Sequence, residues 1–155
     1  HMTTQQQFYK SLKTLLDKMQ LLDQAEMQTK LADFKPAEVH TIQYIGQHIG
    51  ANVTAIAAGM YVTRGAVSKM TKRLIRRELI EKYQSAENKK EVYFRLTAAG
   101  QKVFEQHEAM DRQHDKRDQV VFDSADPKQI AGTLQFLQAY NDHLDHELQR
   151  TKQGD

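Results

Sequence analysis

Cysteine is absent from the 155 residues of this chain. That excludes disulfides, thiolate metal sites, cysteine nucleophiles and cysteine-based redox sensing. Long apolar runs are missing too. None approaches the roughly 20 residues that a membrane-spanning helix requires. No signal-peptide pattern opens the chain, so the expected setting is the cytoplasm, with no membrane partner. Proline is scarce, and both residues, Pro36 and Pro127, stand where a helix would begin. The phosphate-binding glycine loop, the nucleophile elbow and the zinc-protease helix are all lacking, so no enzyme is expected. His1, ahead of Met2, reads as an expression remnant and carries no argument.

What is present describes a globular protein of one domain. Hydrophobic residues make up 39% and charged residues 27% of the chain, ordinary proportions for a water-soluble core and surface. A net charge of +2 identifies no partner, but its distribution is uneven. Between positions 60 and 90 there are nine Lys or Arg against three Glu; between 105 and 126 there are seven acidic residues against three basic ones. A basic patch inside a near-neutral chain is the electrostatic footprint expected of a phosphate-binding surface. The bland alternative is a solvated helix face.

Apolar spacing organises the rest. Phe8, Leu12, Leu15, Leu16, Met19 and Leu22 recur at three and four residues, which predicts a long amphipathic helix over about 4–32. Pro36 opens a second helix with Val39, Ile42, Ile45 and Ile49 on one stripe, and Gly46 and Gly50 suggest close packing and an end. Asn52 or Thr54 can cap a short third helix, and Thr63 the fourth, where Val67, Met70, Leu74 and Ile75 face inward. Lys82-Tyr83-Gln84 and Val92-Tyr93-Phe94-Arg95-Leu96 alternate like strands around a polar turn. Thr97 caps a further helix to about 121, and Pro127 starts a last one carrying Ile130, Leu134, Leu137, Leu144 and Leu148.

Two short helices, a tight turn, a strand, a charged turn and a strand describe a winged helix-turn-helix, which places one helix in the major groove of DNA. The fold expected is mainly α with a small β-wing, flanked by long N- and C-terminal helices. Their stripes are more than so small a domain can bury alone, so a two-fold homodimer is expected.

The segments Val53-Thr-Ala-Ile-Ala, Val62-Thr-Arg-Gly-Ala-Val-Ser-Lys-Met-Thr-Lys-Arg-Leu, Glu78-Leu-Ile-Glu-Lys and Phe94-Arg-Leu-Thr-Ala-Ala-Gly carry a family resemblance. With them the chain resembles the MarR family of bacterial transcription regulators over roughly residues 8–150. The resemblance implies one MarR-like domain over 1–155: dimerisation helices at 4–34 and 122–150, a winged lobe at 36–98 and a linking helix at 97–121. It also implies a homodimeric repressor on a palindromic operator in double-stranded DNA, tuned by a ligand. Wings of the family commonly carry Asp-Arg-Arg, whereas this chain has Asn88-Lys89-Lys90. Lysine is a hydrated point charge without the planar head that reads a narrow minor groove. A less selective wing is expected, and what shapes its tip is left open.

The DNA-contacting set expected is Thr63, Arg64, Gly65, Ser68, Lys69, Lys72, Arg73, Asn88, Lys89 and Lys90. Arg64 is assigned to guanine, since bidentate arginine–guanine pairing is the commonest specific contact. Ser68, Lys69 and Lys72 are assigned to phosphate. Arg73, Arg76 and Arg77 either join them or pair with Glu78 and Glu81. His107, Asp111 and His114 fall on one helix face, a half-site for zinc or another divalent metal. His40 is added from zinc-sensing relatives in the family. Against that metal-responsive alternative stand interfacial histidines or a small organic effector. His143, His146 and Glu147 read as a solvated face. A third class, a winged module that binds protein, would not require the basic patch.

Overall fold

The computed structural model describes residues 1–153. It contains six α-helices and two β-strands among the described residues: α1 (Thr4–Lys30), α2 (Pro36–Gln47), α3 (Val53–Met60), α4 (Arg64–Arg76), β1 (Ile80–Tyr83), β2 (Tyr93–Leu96), α5 (Ala98–Ser124) and α6 (Pro127–Gln153). The chain divides into two compact units at Met110–Asp111, so that α5 contributes to both.

The first unit holds the core. Val39, Ile42 and Ile45 of α2, Ile56 and Ala57 of α3, Val67 and Leu74 of α4, and Val103 and Met110 of α5 bury one continuous apolar cluster, closed by Leu79, Ile80 and Phe94. Each helix starts where the sequence supplies a partner for its free N–H groups. Asn52 Oδ1 accepts from Ala55 N at 2.8 Å, Thr63 Oγ1 from Ala66 N at 3.1 Å, and Thr97 Oγ1 from Gly100 N at 3.1 Å. Glycines act where space runs out. A Cβ on Gly46 would lie 2.5 Å from the Phe104 ring, and one on Gly100 only 1.9 Å from the Leu79 carbonyl oxygen.

Ile49 departs from the expected stripe. It is fully exposed, at 102% of its reference area. Helix α2 stops at Gln47 and Gly50 takes a φ of +77°, so the 3.6-residue repeat no longer governs position 49. The strands pair antiparallel with Ile80 opposite Leu96 and Tyr83 opposite Tyr93. Ala51 adds an isolated bridge to Phe94, whose N–H donates to the Ala51 carbonyl at 2.9 Å. The wing is thereby stitched to the segment just before α3.

Along α1, Leu12, Leu15, Leu16, Met19 and Leu22 are exposed and only Met27 is buried. In the second unit no described residue is buried, and Val120, Val121, Phe122, Leu134, Phe136, Leu144 and Leu148 lie open. There His146 Nδ1 bonds the Asp142 carbonyl at 2.9 Å and Glu147 pairs with Arg150 at 3.0 Å, the solvated face expected of that cluster. Among the described residues no helix is long and apolar enough to cross a membrane.

Candidate nucleic-acid interface

Helix α3, a three-residue turn and α4 form the helix-turn-helix. The turn begins at Tyr61, whose backbone is left-handed (φ 57°, ψ 45°). Its N–H and that of Val62 both return to the Ala57 carbonyl, ending α3 abruptly and leaving Thr63 to cap α4. Successive residues of α4 turn by about 100°. Gly65, Lys69, Lys72 and Arg76 therefore fall within about 60° of one another, opposite the buried side chains of Val67, Thr71 and Leu74. Ser68, half-buried, flanks that face, and Arg64 leads the helix in the open. A Cβ on Gly65 would meet nothing within 4 Å, so this turn of α4 has room for a close approach from outside. The Thr63 oxygen is committed to the cap, which leaves its hydroxyl proton to donate outward.

Arg73 goes elsewhere. It lies about 70° around the helix from the centre of the exposed face, and its Nε sits 3.4 Å from Glu38 Oε2. Arg77 Nη1 donates to the same oxygen at 2.8 Å, its Nη2 donates to the Asp33 carbonyl at 3.0 Å, and its guanidinium covers the Phe34 ring at 4.7 Å. Glu38 is fully buried. Loss of water opposes its charge most strongly, but the Lys35 N–H, the Arg77 hydrogen bond and the charges of Arg77 and Arg73 together outweigh that. The carboxyl is accordingly held below its ordinary value of 4.5. The expected pairing of these arginines with Glu78 and Glu81 is corrected: Glu81 bonds Arg95 at 2.7 Å, and Arg73 and Arg77 fasten α4 to α2.

The wing tip is shaped by its own side chains. Asn88 Oδ1 accepts from Lys90 N at 3.1 Å, Ser85 Oγ from Asn88 N at 3.0 Å, and Gln84 Nε2 donates to the Lys89 carbonyl at 2.9 Å. Asn88 thus supplies the turn acceptor that a carboxylate would supply, and Lys89 and Lys90 are displayed with their side chains exposed. Asn52 Nδ2 also donates to Glu91 Oε2 at 3.3 Å, joining the α3 cap to the base of the wing.

The charge balance separates these groups. Arg64, Lys69, Lys72, Arg76, Lys82, Lys89 and Lys90 form no ion pair among the described residues, whereas Arg73, Arg77 and Arg95 each have a carboxylate. Other cations of the chain are unpaired too, Lys10 and Lys102 among them, but only on α4 and the wing do seven such charges gather within 27 residues. Repulsion and desolvation make such a concentration useful only if an anion shares it.

Two of the expected metal-site histidines lie in the first unit. His40 is exposed and His107 buried, with ring centroids 6.0 Å apart in a T-shaped arrangement. Among the described residues no group of three or more His, Asp or Glu is placed to hold a metal ion. Asp111 and His114 belong to the second unit, and the metal set of His40, His107, Asp111 and His114 stays an expectation from the sequence. Glu38, Tyr61 and the Asn52–Glu91 bond were missed from sequence. The signal for Glu38 was there, since it precedes Ile42 by one turn on the apolar stripe of α2 and follows Lys35-Pro36 at the helix start.

Known proteins agree with this geometry. The family model described as MarR family matches residues 34–92, from the α1–α2 connection to the wing. The HTH-type transcriptional regulator PchR of Bacillus subtilis is 35% identical over 109 residues, 70% of this chain and 64% of PchR. The chain thus spans somewhat less than two thirds of that relative. Streptococcus pneumoniae FabT, solved in complex with DNA, superposes with a TM-score of 0.76 at 21% identity, covering 90% of this chain and 96% of FabT. Staphylococcus aureus MarR, solved with salicylate and kanamycin, gives 0.69 at 20% identity over 90% and 91% of the two chains. The likeness of these structures is one of fold, the winged helix-turn-helix. Over residues 34–92, its central lobe, the chain is similar to the MarR family.

Proposed function

We propose that this chain is a sequence-specific, DNA-binding transcriptional regulator and not an enzyme, acting as a homodimer on a palindromic operator in the cytoplasm. The observation that carries the reading is the set of seven cations on α4 and the wing that lack carboxylate partners among the described residues. They surround a capped helix whose first turn is open. Arg64 reads guanine; Ser68, Lys69 and Lys72 hold phosphates; Lys89 and Lys90 follow the adjacent backbone as point charges. The exposed leucines of α1 and α6 support dimerisation, because a second copy would cover them. Two-fold symmetry then presents two recognition helices to two half-sites. Repression, and release by a small organic effector, follow the family and the likeness to a relative solved with salicylate.

Gel retardation on duplexes selected from a random pool tests this reading, with light scattering for the dimer mass. Wild-type protein shifts the duplex, and Lys72→Ala weakens all sequences about equally and lowers the salt slope by about one. Absence of a shift at low salt, or a Lys72→Ala protein with the wild-type slope, would contradict it.

A further inference from the structure

Tyr61 is the residue of this interface whose presence local structure does not explain. It occupies the left-handed turn that ends α3, at φ 57° and ψ 45°, a conformation that costs any residue with a Cβ and that glycine takes freely. Glycine is the usual choice at such a helix end. Nothing in the fold repays a tyrosine there. The side chain is 79% exposed, it is not packed against the core, and its hydroxyl has no hydrogen-bond partner among the described residues. A strained backbone held under an idle aromatic side chain points to a role outside the folded chain. Its place narrows that role. Tyr61 stands two residues before the Thr63 cap and three before Arg64, and every residue from Tyr61 to Ala66 is exposed.

Resting on the DNA reading above, we propose that Tyr61 is a DNA-backbone contact. The phenol donates to a phosphate oxygen at the edge of the groove that α4 enters, and the ring covers the neighbouring deoxyribose. A tyrosine suits this task because it joins a donor to an apolar face at low cost in side-chain entropy. The αL turn that carries it lies between the end of α3 and the leading end of α4. The contact is neutral and sequence-independent, so it fixes the depth and register of the helix without reading bases. It differs in one measurable way from the lysines. A phenol displaces no condensed counterion, so its removal lowers affinity without changing the salt slope.

The test compares wild type, Tyr61→Phe, Tyr61→Gly and Lys69→Ala by fluorescence anisotropy on a selected duplex and on a scrambled one, across a salt series. Tyr61→Phe is expected to bind both duplexes about tenfold more weakly, the loss of one hydrogen bond to a charged acceptor, with an unchanged slope. Tyr61→Gly binds more weakly still, yet melts no lower than wild type because its turn is relaxed. Lys69→Ala lowers the slope by about one. If wild type and Lys69→Ala behave as stated while both Tyr61 variants bind like wild type, the contact does not exist. A Tyr61→Gly protein that melts well below wild type would also overturn the proposal, since the side chain would then be structural. If wild-type protein binds neither duplex, the DNA reading itself fails and this contact with it.

Discussion

Replacing Glu38 isolates the link between α2 and the recognition helix. The carboxylate is wholly buried, receives the Lys35 N–H at 2.9 Å and Arg77 Nη1 at 2.8 Å, and lies 3.4 Å from Arg73 Nε as an ion pair. Removing one member of a buried ion pair costs about 3–5 kcal/mol when the survivor stays dry. Here the arginine side chains retain 41% and 32% of their exposure, so they rehydrate in part and the low end applies. Glu38→Ala should cost about 3 kcal/mol and lower Tm by about 10 °C. Glu38→Gln keeps the volume and an acceptor for Lys35 but loses the charge-assisted bonds, for about 2 kcal/mol. The pH dependence has a definite sign. The folded carboxyl titrates below 4.5, so its contribution is complete above the unfolded value and fades as pH falls through the folded one. Urea unfolding of wild type and Glu38→Gln should therefore show a gap at neutral pH that closes progressively below 4.5. A gap under about 0.5 kcal/mol at neutral pH, or one that persists undiminished into acid, would refute the clamp.

Gly100→Ala sets a Cβ 1.9 Å from the Leu79 carbonyl oxygen, a backbone atom that cannot step aside. A loss of about 3 kcal/mol is expected in chemical denaturation. Asn88→Ala removes the acceptor of the Lys90 N–H at the wing tip and should leave the melting temperature nearly unchanged while weakening duplex binding several-fold. Asn88→Asp, which keeps the acceptor, should hold the wing and restore most of that binding. Simultaneous Lys89→Ala and Lys90→Ala should lower the salt slope of binding by about two with little change in base preference.

Much of this fold was legible because local signals agreed with one another. Thr63, Asn52 and Thr97 cap helices as their side chains suggested, Pro36 and Pro127 each open one, and Gly46 and Gly50 mark packing and an end. Ile49 was misassigned because periodicity says where a stripe would continue but not where the helix stops. The exposed cations were legible as a charge count; their division into free and paired was not. Arg73 and Lys72 are neighbours in sequence, yet one meets a carboxylate 35 positions earlier and the other meets none among the described residues. That difference arises from tertiary placement. The histidines were less legible, since shared helical phase is a condition on direction while metal binding is a condition on distance.

The central claim is that α4 reads base edges through Arg64. The most direct measurement is the ratio of affinities for a selected duplex and the same duplex with the guanine pair facing Arg64 exchanged, for wild type and Arg64→Ala. The account predicts that wild type discriminates by about 1–3 kcal/mol and that Arg64→Ala loses both that affinity and that discrimination. An Arg64→Ala protein that binds more weakly but still prefers the original pair would contradict it, leaving Arg64 as one more phosphate contact.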